Sequence, residues 1–285
     1  MGRIEARFEA LKREGKKAFV AYLTAGDPDL KTTAKLIPAL EAAGVDIVEI
    51  GIPFSDPTAD GPAIQAASQR ALKGGATLER ILAMIASLRR KCGIPIVLFG
   101  YYNPILSYGP EKFAADAKVS GVDGLIVVDL PPEEANELQQ YTDPAGLAFI
   151  TLIAPTTDPG RVAAILRRAA GFVYFISVTG VTGGAAPETV EVKRDVERIK
   201  KMTTLPIAVG FGIATPEQAA AIAPLADGVV VGSALVRLIA EKKGCGDITR
   251  AVASFAEDIR RAIDSPVPAE TSEGGKGKRS SSAGC

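Results

Sequence analysis

Short runs of β-branched and aromatic residues recur along this chain, and each is followed by a longer segment whose apolar residues return with the period of a helix. The runs are Ala18 to Thr24, Asp46 to Ile52, Pro95 to Tyr101, Gly124 to Leu130, Ala148 to Ala154, Phe172 to Val178, Pro206 to Phe211 and Gly228 to Val231. Most are continuous, as in Leu125-Ile-Val-Val128, and a strand reads so when both of its faces are buried, the condition of a parallel sheet. Helix-start signals stand between them: Asp27-Pro28-Asp29, Pro131-Pro132-Glu133-Glu134, Asp158-Pro159-Gly160 and Thr215-Pro216-Glu217. Strand and helix alternating in this way predict a closed α/β barrel, (β/α)8 or TIM barrel in architecture. Ile4, Phe8 and Leu11, at helical spacing ahead of the first run, add an extra N-terminal helix. An open doubly wound sheet has the same alternation, but no Gly-x-Gly-x-x-Gly follows the first run, where Leu23-Thr-Ala-Gly-Asp27 stands instead. Residues 1–264 are expected to form one barrel domain. The tail 265–285 holds Pro, Gly, Ser and charge with little to bury, and is expected to be disordered.

Composition narrows the chemistry. Lys and Arg number 33 and Asp and Glu 33, so the long-range attraction of a nucleic-acid or membrane binder is missing, and a small ligand is expected. There is no His, which removes imidazole bases, Ser-His and Cys-His pairs and His-ligated metals. Acid-base work falls to carboxylates, Lys or Tyr. Cys92, Cys245 and Cys285 are odd in number and widely spaced, which fits a reducing, cytoplasmic setting better than a disulfide framework. No signal-peptide core and no membrane-spanning apolar stretch is visible.

In a barrel the site is sought where polar residues end the apolar runs. Glu49 interrupts the second run between Val48 and Ile50, and Asp60 lies in the loop that follows. A carboxylate in an apolar strand is costly unless paired or protonated, so Glu49 is expected to have a raised pKa, with Asp60 ionised in a polar loop. The competing reading makes Glu49 half of a buried salt bridge and Asp60 the cap of a helix beginning near Pro62. At the other end of the chain, Val209-Gly-Phe-Gly-Ile213 and Val231-Gly-Ser-Ala-Leu235 put glycines after the seventh and eighth runs, where many barrels bind phosphate. Ser233 is expected to cap a short helix over 234–240, whose N-terminus would attract an anion. Gly183-Gly184 after the sixth run could complete the cradle or form a lid, and ordinary glycine turns are the alternative. Tyr22, Ile64, Tyr101, Tyr174 and Phe211 near run ends would line an apolar pocket, although such residues are commonly core. No Lys ends a run, against a Schiff-base aldolase, and no carboxylate cluster has divalent-metal spacing.

The segment Glu49-Ile-Gly-Ile-Pro-Phe-Ser-Asp-Pro-Thr-Ala-Asp-Gly-Pro62 resembles the signature of tryptophan synthase alpha subunits. The resemblance extends through Thr24-Ala-Gly-Asp-Pro28, Gly100-Tyr-Tyr-Asn-Pro104, Asp129-Leu-Pro131, Ser177-Val-Thr-Gly-Val-Thr-Gly183, Gly210-Phe-Gly212 and Gly232-Ser233, and runs from Phe8 to about residue 262. It implies a lyase that cleaves indole-3-glycerol phosphate to indole and glyceraldehyde 3-phosphate in L-tryptophan biosynthesis, by a retro-aldol route with no cofactor or metal of its own. By that resemblance Glu49 is the general acid-base and Asp60 the acceptor of the indole N–H. Thr182 would bond Asp60 on loop closure, Gly183, Gly212, Gly232 and Ser233 would hold phosphate, and the apolar residues above would surround the indole. The resemblance also implies an α2β2 heterotetramer with a pyridoxal-phosphate-containing beta subunit. Pro53, Phe54, Asp56, Pro57, Asn103 and Pro131 would lie at or near that partner, with Asp56 as the signalling residue. Thr58 departs from the apolar residue common in this loop. The alternatives are a stand-alone indole-glycerol-phosphate lyase, a catalytically silent regulatory subunit, and a sugar-phosphate epimerase or isomerase, the last commonly needing the metal and His ligands that this chain lacks.

Overall fold

The computed structural model describes residues 2–177, 189–210, 212–244 and 247–265. Its strands are β1 (Ala18–Thr24), β2 (Ile47–Gly51), β3 (Ile96–Gly100), β4 (Gly124–Val127), β5 (Ala148–Phe149), β6 (Thr151–Ile153), β7 (Val173–Ile176), β8 (Ile207–Gly210) and β9 (Gly228–Val231). They form one parallel sheet in the order β5-β4-β3-β2-β1-β9-β8-β7-β6. The pairing of β1 with β9 rules out the open doubly wound alternative. The two end strands are halves of the predicted fifth run, parted at Ile150, whose N–H still donates to the Leu125 carbonyl at 2.9 Å. The nine segments therefore make a nearly closed (β/α)8 barrel.

The helices are α1 (Arg3–Arg13), α2 (Leu30–Ala42), α3 (Pro62–Lys73), α4 (Leu78–Leu88), α5 (Tyr102–Tyr108), α6 (Pro110–Ser120), α7 (Asn136–Ala145), α8 (Pro159–Leu166), α9 (Thr189–Lys200), α10 (Pro216–Ile222), α11 (Ser233–Lys242) and α12 (Ile248–Asp264). Three of the four expected starts carry a side-chain cap. Asp29 accepts the Thr32 N–H, Asp158 the Arg161 N–H, and Thr215 forms a capping box with Gln218. The fourth differs: the Pro131-Pro132 segment is a turn, and α7 begins only at Asn136. Most strands are also shorter than the apolar runs. Asp46 stays outside β2 because its carboxylate accepts the Phe19 N–H at 2.6 Å, and β4 stops before Asp129, which accepts the Tyr102 N–H at 2.7 Å.

Alternation along the strands sorts side chains into two cores. Val48, Ile50, Leu98 and Val229 pack outward against the helices, whereas Val20, Ile47, Val97, Ile126, Phe172 and Ala208 fill the barrel interior. α1 closes the interior from below, with Ile4, Phe8 and Leu11 buried and the Phe8 ring 5.6 Å from that of Phe172. Aspartates at strand starts hold this lower end. Asp46, Asp123 and Asp227 accept the N–H groups of Phe19, Ile96 and Ile207 on the preceding neighbour strand. Asp46 is also paired with Arg7 and Arg260, Asp123 with Arg3 and Arg89, and Asp227 with Lys200. With one end of the barrel closed in this way, the opposite, carboxyl end of the strands is left for a site. Among the described residues no helix is long and apolar enough to cross a membrane.

Candidate active site

Glu49 sits at the middle of β2 with Tyr22 of β1 and Val97 of β3 as its register partners. Because Ile47 faces the barrel interior and Val48 the helices, Glu49 faces inward, one pleat above Ile47 toward the open end. It is 1% exposed, and among the described residues Oε1 has no hydrogen-bond partner. Nor does it form an ion pair there, contrary to the salt-bridge reading. Loss of hydration pushes its carboxyl up to about 8. Glu49 is therefore a neutral acid at neutral pH, able to give a proton and take one back.

Asp60 is half-buried in the loop between β2 and α3. It does not cap α3, whose N-cap is Gly61 with no side-chain bond. Burial pushes its carboxyl up to about 6, against a lowering contribution from the Tyr101 hydroxyl. The Gln65 amide donates to its backbone carbonyl at 2.8 Å, and the Tyr101 hydroxyl accepts the neighbouring Ala59 N–H at 2.9 Å. Asp27 and Arg70 form a bidentate pair, 2.8 and 2.7 Å, which ties α3 to the loop after β1.

Tyr22 on the adjacent β1 and Tyr174 on β7, three strands further round the sheet, also belong to the inner face. Tyr22 is buried, its ring edge-on to Phe99 at 5.4 Å, and it packs with Ile64, Ala67 and Val236. Both hydroxyls are held neutral by burial. Each depends on a glycine: a Cβ on Gly51 would stand 2.1 Å from the Tyr22 oxygen, and one on Gly210 would stand 2.3 Å from the Tyr174 oxygen. The Gly51 in the strand-two signature is thus required by a side chain on a neighbouring strand, a requirement that sequence reading of one strand cannot reveal. Ser177, also not anticipated, is buried and donates to the Gly210 carbonyl at 3.1 Å, tying the end of β7 to β8.

Of the expected anion cradle, Gly212 is exposed with φ of +80°, a conformation that favours glycine. Ser233 is the first residue of α11 and does not cap it; Gly232 is the N-cap, correcting the predicted start by one residue. The first backbone N–H groups of α11 therefore lack side-chain partners from the cap and face the space beyond β9. Thr182, Gly183 and Phe211 lie outside the described residues. Of the residues expected near a partner, Pro53 is buried within the chain, Phe54, Pro57 and Pro131 are half-buried, and Asp56, Thr58 and Asn103 are exposed. Phe54 lies against Tyr101 with ring centroids 5.2 Å apart, and Ser55 Oγ donates to Asp56 at 2.5 Å. Among the described residues, no cluster of three or more His, Cys, Asp or Glu is placed to hold a metal ion.

The fold is a TIM barrel, with a buried protonatable glutamate inside it and a second carboxylate in the loop above, an arrangement suited to acid-base chemistry. The family model of the tryptophan synthase alpha chain matches residues 8–264. The chain belongs to that family. It is 53% identical over 263 residues to the tryptophan synthase alpha chain of Geobacter sulfurreducens, covering 92% of this chain and 99% of the relative. The crystal structure of tryptophan synthase subunit alpha from Legionella pneumophila superposes with a TM-score of 0.87 at 41% identity, covering 93% of this chain and 99% of that one. A chain of tryptophan synthase from M. tuberculosis, in its aminoacrylate-bound form, matches with a TM-score of 0.82 at 33% identity, over 92% of this chain and 100% of that one.

Proposed function

We propose that Glu49 and Asp60 perform in this chain the reaction of its family, cleavage of indole-3-glycerol phosphate to indole and glyceraldehyde 3-phosphate. Glu49 carries the reading, because a buried, uncharged carboxyl of this kind suits proton transfer to carbon. Indole cannot leave as a carbanion. Glu49 therefore protonates carbon 3 of the indole ring, which becomes an indolenine while Asp60 accepts the ring N–H and balances the developing positive charge. The resulting Glu49 carboxylate removes the proton of the glycerol hydroxyl. As that oxygen becomes an aldehyde, the carbon-carbon bond breaks and its electron pair returns to the ring, releasing indole. The proton is thereby returned to Glu49, and the ring itself acts as the electron sink, so the route requires no cofactor.

Phosphate would sit between Gly212 and the start of α11, with Gly183, Gly232 and Ser233 contributing and Tyr22, Ile64, Tyr101, Tyr174 and Phe211 around the indole. Thr182 would bond Asp60 as its loop closes. The chain acts as the alpha subunit with a beta subunit, the pyridoxal-phosphate component of the α2β2 assembly, in the cytoplasm, and residues 1–264 act as one catalytic unit. Pro53, Phe54, Asp56, Pro57 and Pro131 belong to segments that follow strand ends, and Asn103 to the first turn of α5 after β3, so all six are at the carboxyl end of the barrel, which suits a shared contact with that partner.

The test is release of indole from indole-3-glycerol phosphate by the purified chain, alone and with a tryptophan synthase beta subunit. Slow release that rises strongly with the partner supports the reading. Fast release indifferent to the partner would make the chain a stand-alone lyase, and no release in either condition would leave a silent subunit.

A further inference from the structure

We infer that Tyr101 is a positioning residue that couples Asp60 to the partner-facing loop: its ring packs on Phe54 while its hydroxyl holds the backbone beside Asp60. The inference rests on the catalytic role proposed for Asp60. Tyr101 stands directly after β3, is 3% exposed, and reaches across to the loop between β2 and α3. There its hydroxyl accepts the Ala59 N–H at 2.9 Å and its ring lies 5.2 Å from that of Phe54. Within residues 52–60 the other side-chain hydrogen bonds come from the same strand-helix unit, from Ser55 and Gln65. Among the described residues Tyr101 is thus the side chain of another unit that hydrogen-bonds this loop.

Its neighbours add a second connection. Tyr101 is the N-cap of α5, whose exposed Asn103 lies at the same end of the barrel as Asp56. One buried ring therefore joins two segments expected to face the beta subunit and touches the residue next to the second carboxylate. Around Asp60 the titratable groups that interact with it are Tyr101 and Tyr22. The Tyr101 hydroxyl favours the carboxylate form of Asp60, the form that accepts the indole N–H.

The experiment measures kcat, KM and the pH-rate profile of Tyr101→Phe, alone and with a tryptophan synthase beta subunit. Phenylalanine keeps the ring on Phe54 and deletes only the hydroxyl. The expected result is a fall in kcat of about tenfold with little change in KM, the scale of one lost hydrogen bond. The acid limb should move upward, because a donor favouring the Asp60 carboxylate is gone. Phe54→Leu should instead reduce the activation produced by the partner. In an Asp60→Asn background, Tyr101→Phe should add almost nothing, since both changes act on one group. An equal cost in both backgrounds, or an unmoved acid limb with unchanged kcat, would overturn the inference. If Asp60→Asn alone leaves turnover intact, the catalytic reading of Asp60 fails as well, which separates the two outcomes.

Discussion

At the residue scale the proposed chemistry turns on where two carboxyls lose their protons. With Asp60 near 6 and Glu49 near 8, the interval between holds Asp60 ionised and Glu49 protonated, the state in which the proposed reaction begins. The rate should therefore fall on both sides of that interval, and Asp60→Asn should slow turnover substantially and remove the limb near 6. Glu49→Gln should retain the fold and phosphate binding but lower kcat by about 10²-fold to 10⁴-fold or more, because an amide cannot transfer the proton. The same substitution reports on stability. The folded protein holds the Glu49 proton up to about 8, whereas the unfolded chain releases it near the ordinary 4.5. Between those values the folded state binds more protons, so this group's contribution is present below pH 4.5 and is lost as pH rises to 8. Glutamine has no such slope. Denaturant unfolding at pH 5 and pH 9 should show Glu49→Gln gaining on the parent at the higher pH, and parallel behaviour would contradict the raised pKa. Glu49 was legible in the sequence because a charge between Val48 and Ile50 breaks an apolar run. The part played by Gly51 was not, since the atom that would collide with a Cβ belongs to Tyr22 on another strand.

At the scale of elements, period and caps located the strands and helices, and long-range hydrogen bonds trimmed them. Asp46 and Asp129 show why: each belongs to an apolar run in sequence, but its carboxylate serves the backbone of a different unit. The start of α11 moved for a local reason. Gly232 takes the N-cap position, leaving Ser233 inside the helix with its hydroxyl free of the capping role. A helix N-terminus open toward the site favours an anion and penalises an added negative charge. Ser233→Asp should therefore raise KM for the phosphate substrate by about tenfold with a smaller effect on kcat, a split that follows from lost ground-state binding. An unchanged KM would remove α11 from the phosphate site.

At the scale of the whole molecule, α1 and the lower ring of aspartates hold one end closed while the carboxyl end carries the proposed site. Phe8 is buried against Phe172 at the lower end of the barrel, on the opposite side of the interior core from the open end toward which Glu49 stands above Ile47. Phe8→Ala should cost about 3–5 kcal/mol through lost burial and the cavity left behind, and lower Tm by roughly 10 °C. At low temperature, where the variant remains folded, kcat should be near that of the parent; a loss of kcat without a loss of Tm would place α1 in the catalytic machinery instead. Hydrophobic period and the absence of His determined, by themselves, a parallel α/β chain whose proton-transfer groups are confined to carboxylates, Lys and Tyr, because burial on both faces of a strand and the inventory of proton-transfer groups are properties of the linear sequence. Closure of the sheet through the break at Ile150, the space for the two tyrosine hydroxyls, and the contact of Tyr101 with the loop beside Asp60 were decided only in three dimensions. Each depends on the distance between atoms of different strands, and that distance is set by the register and packing of the barrel.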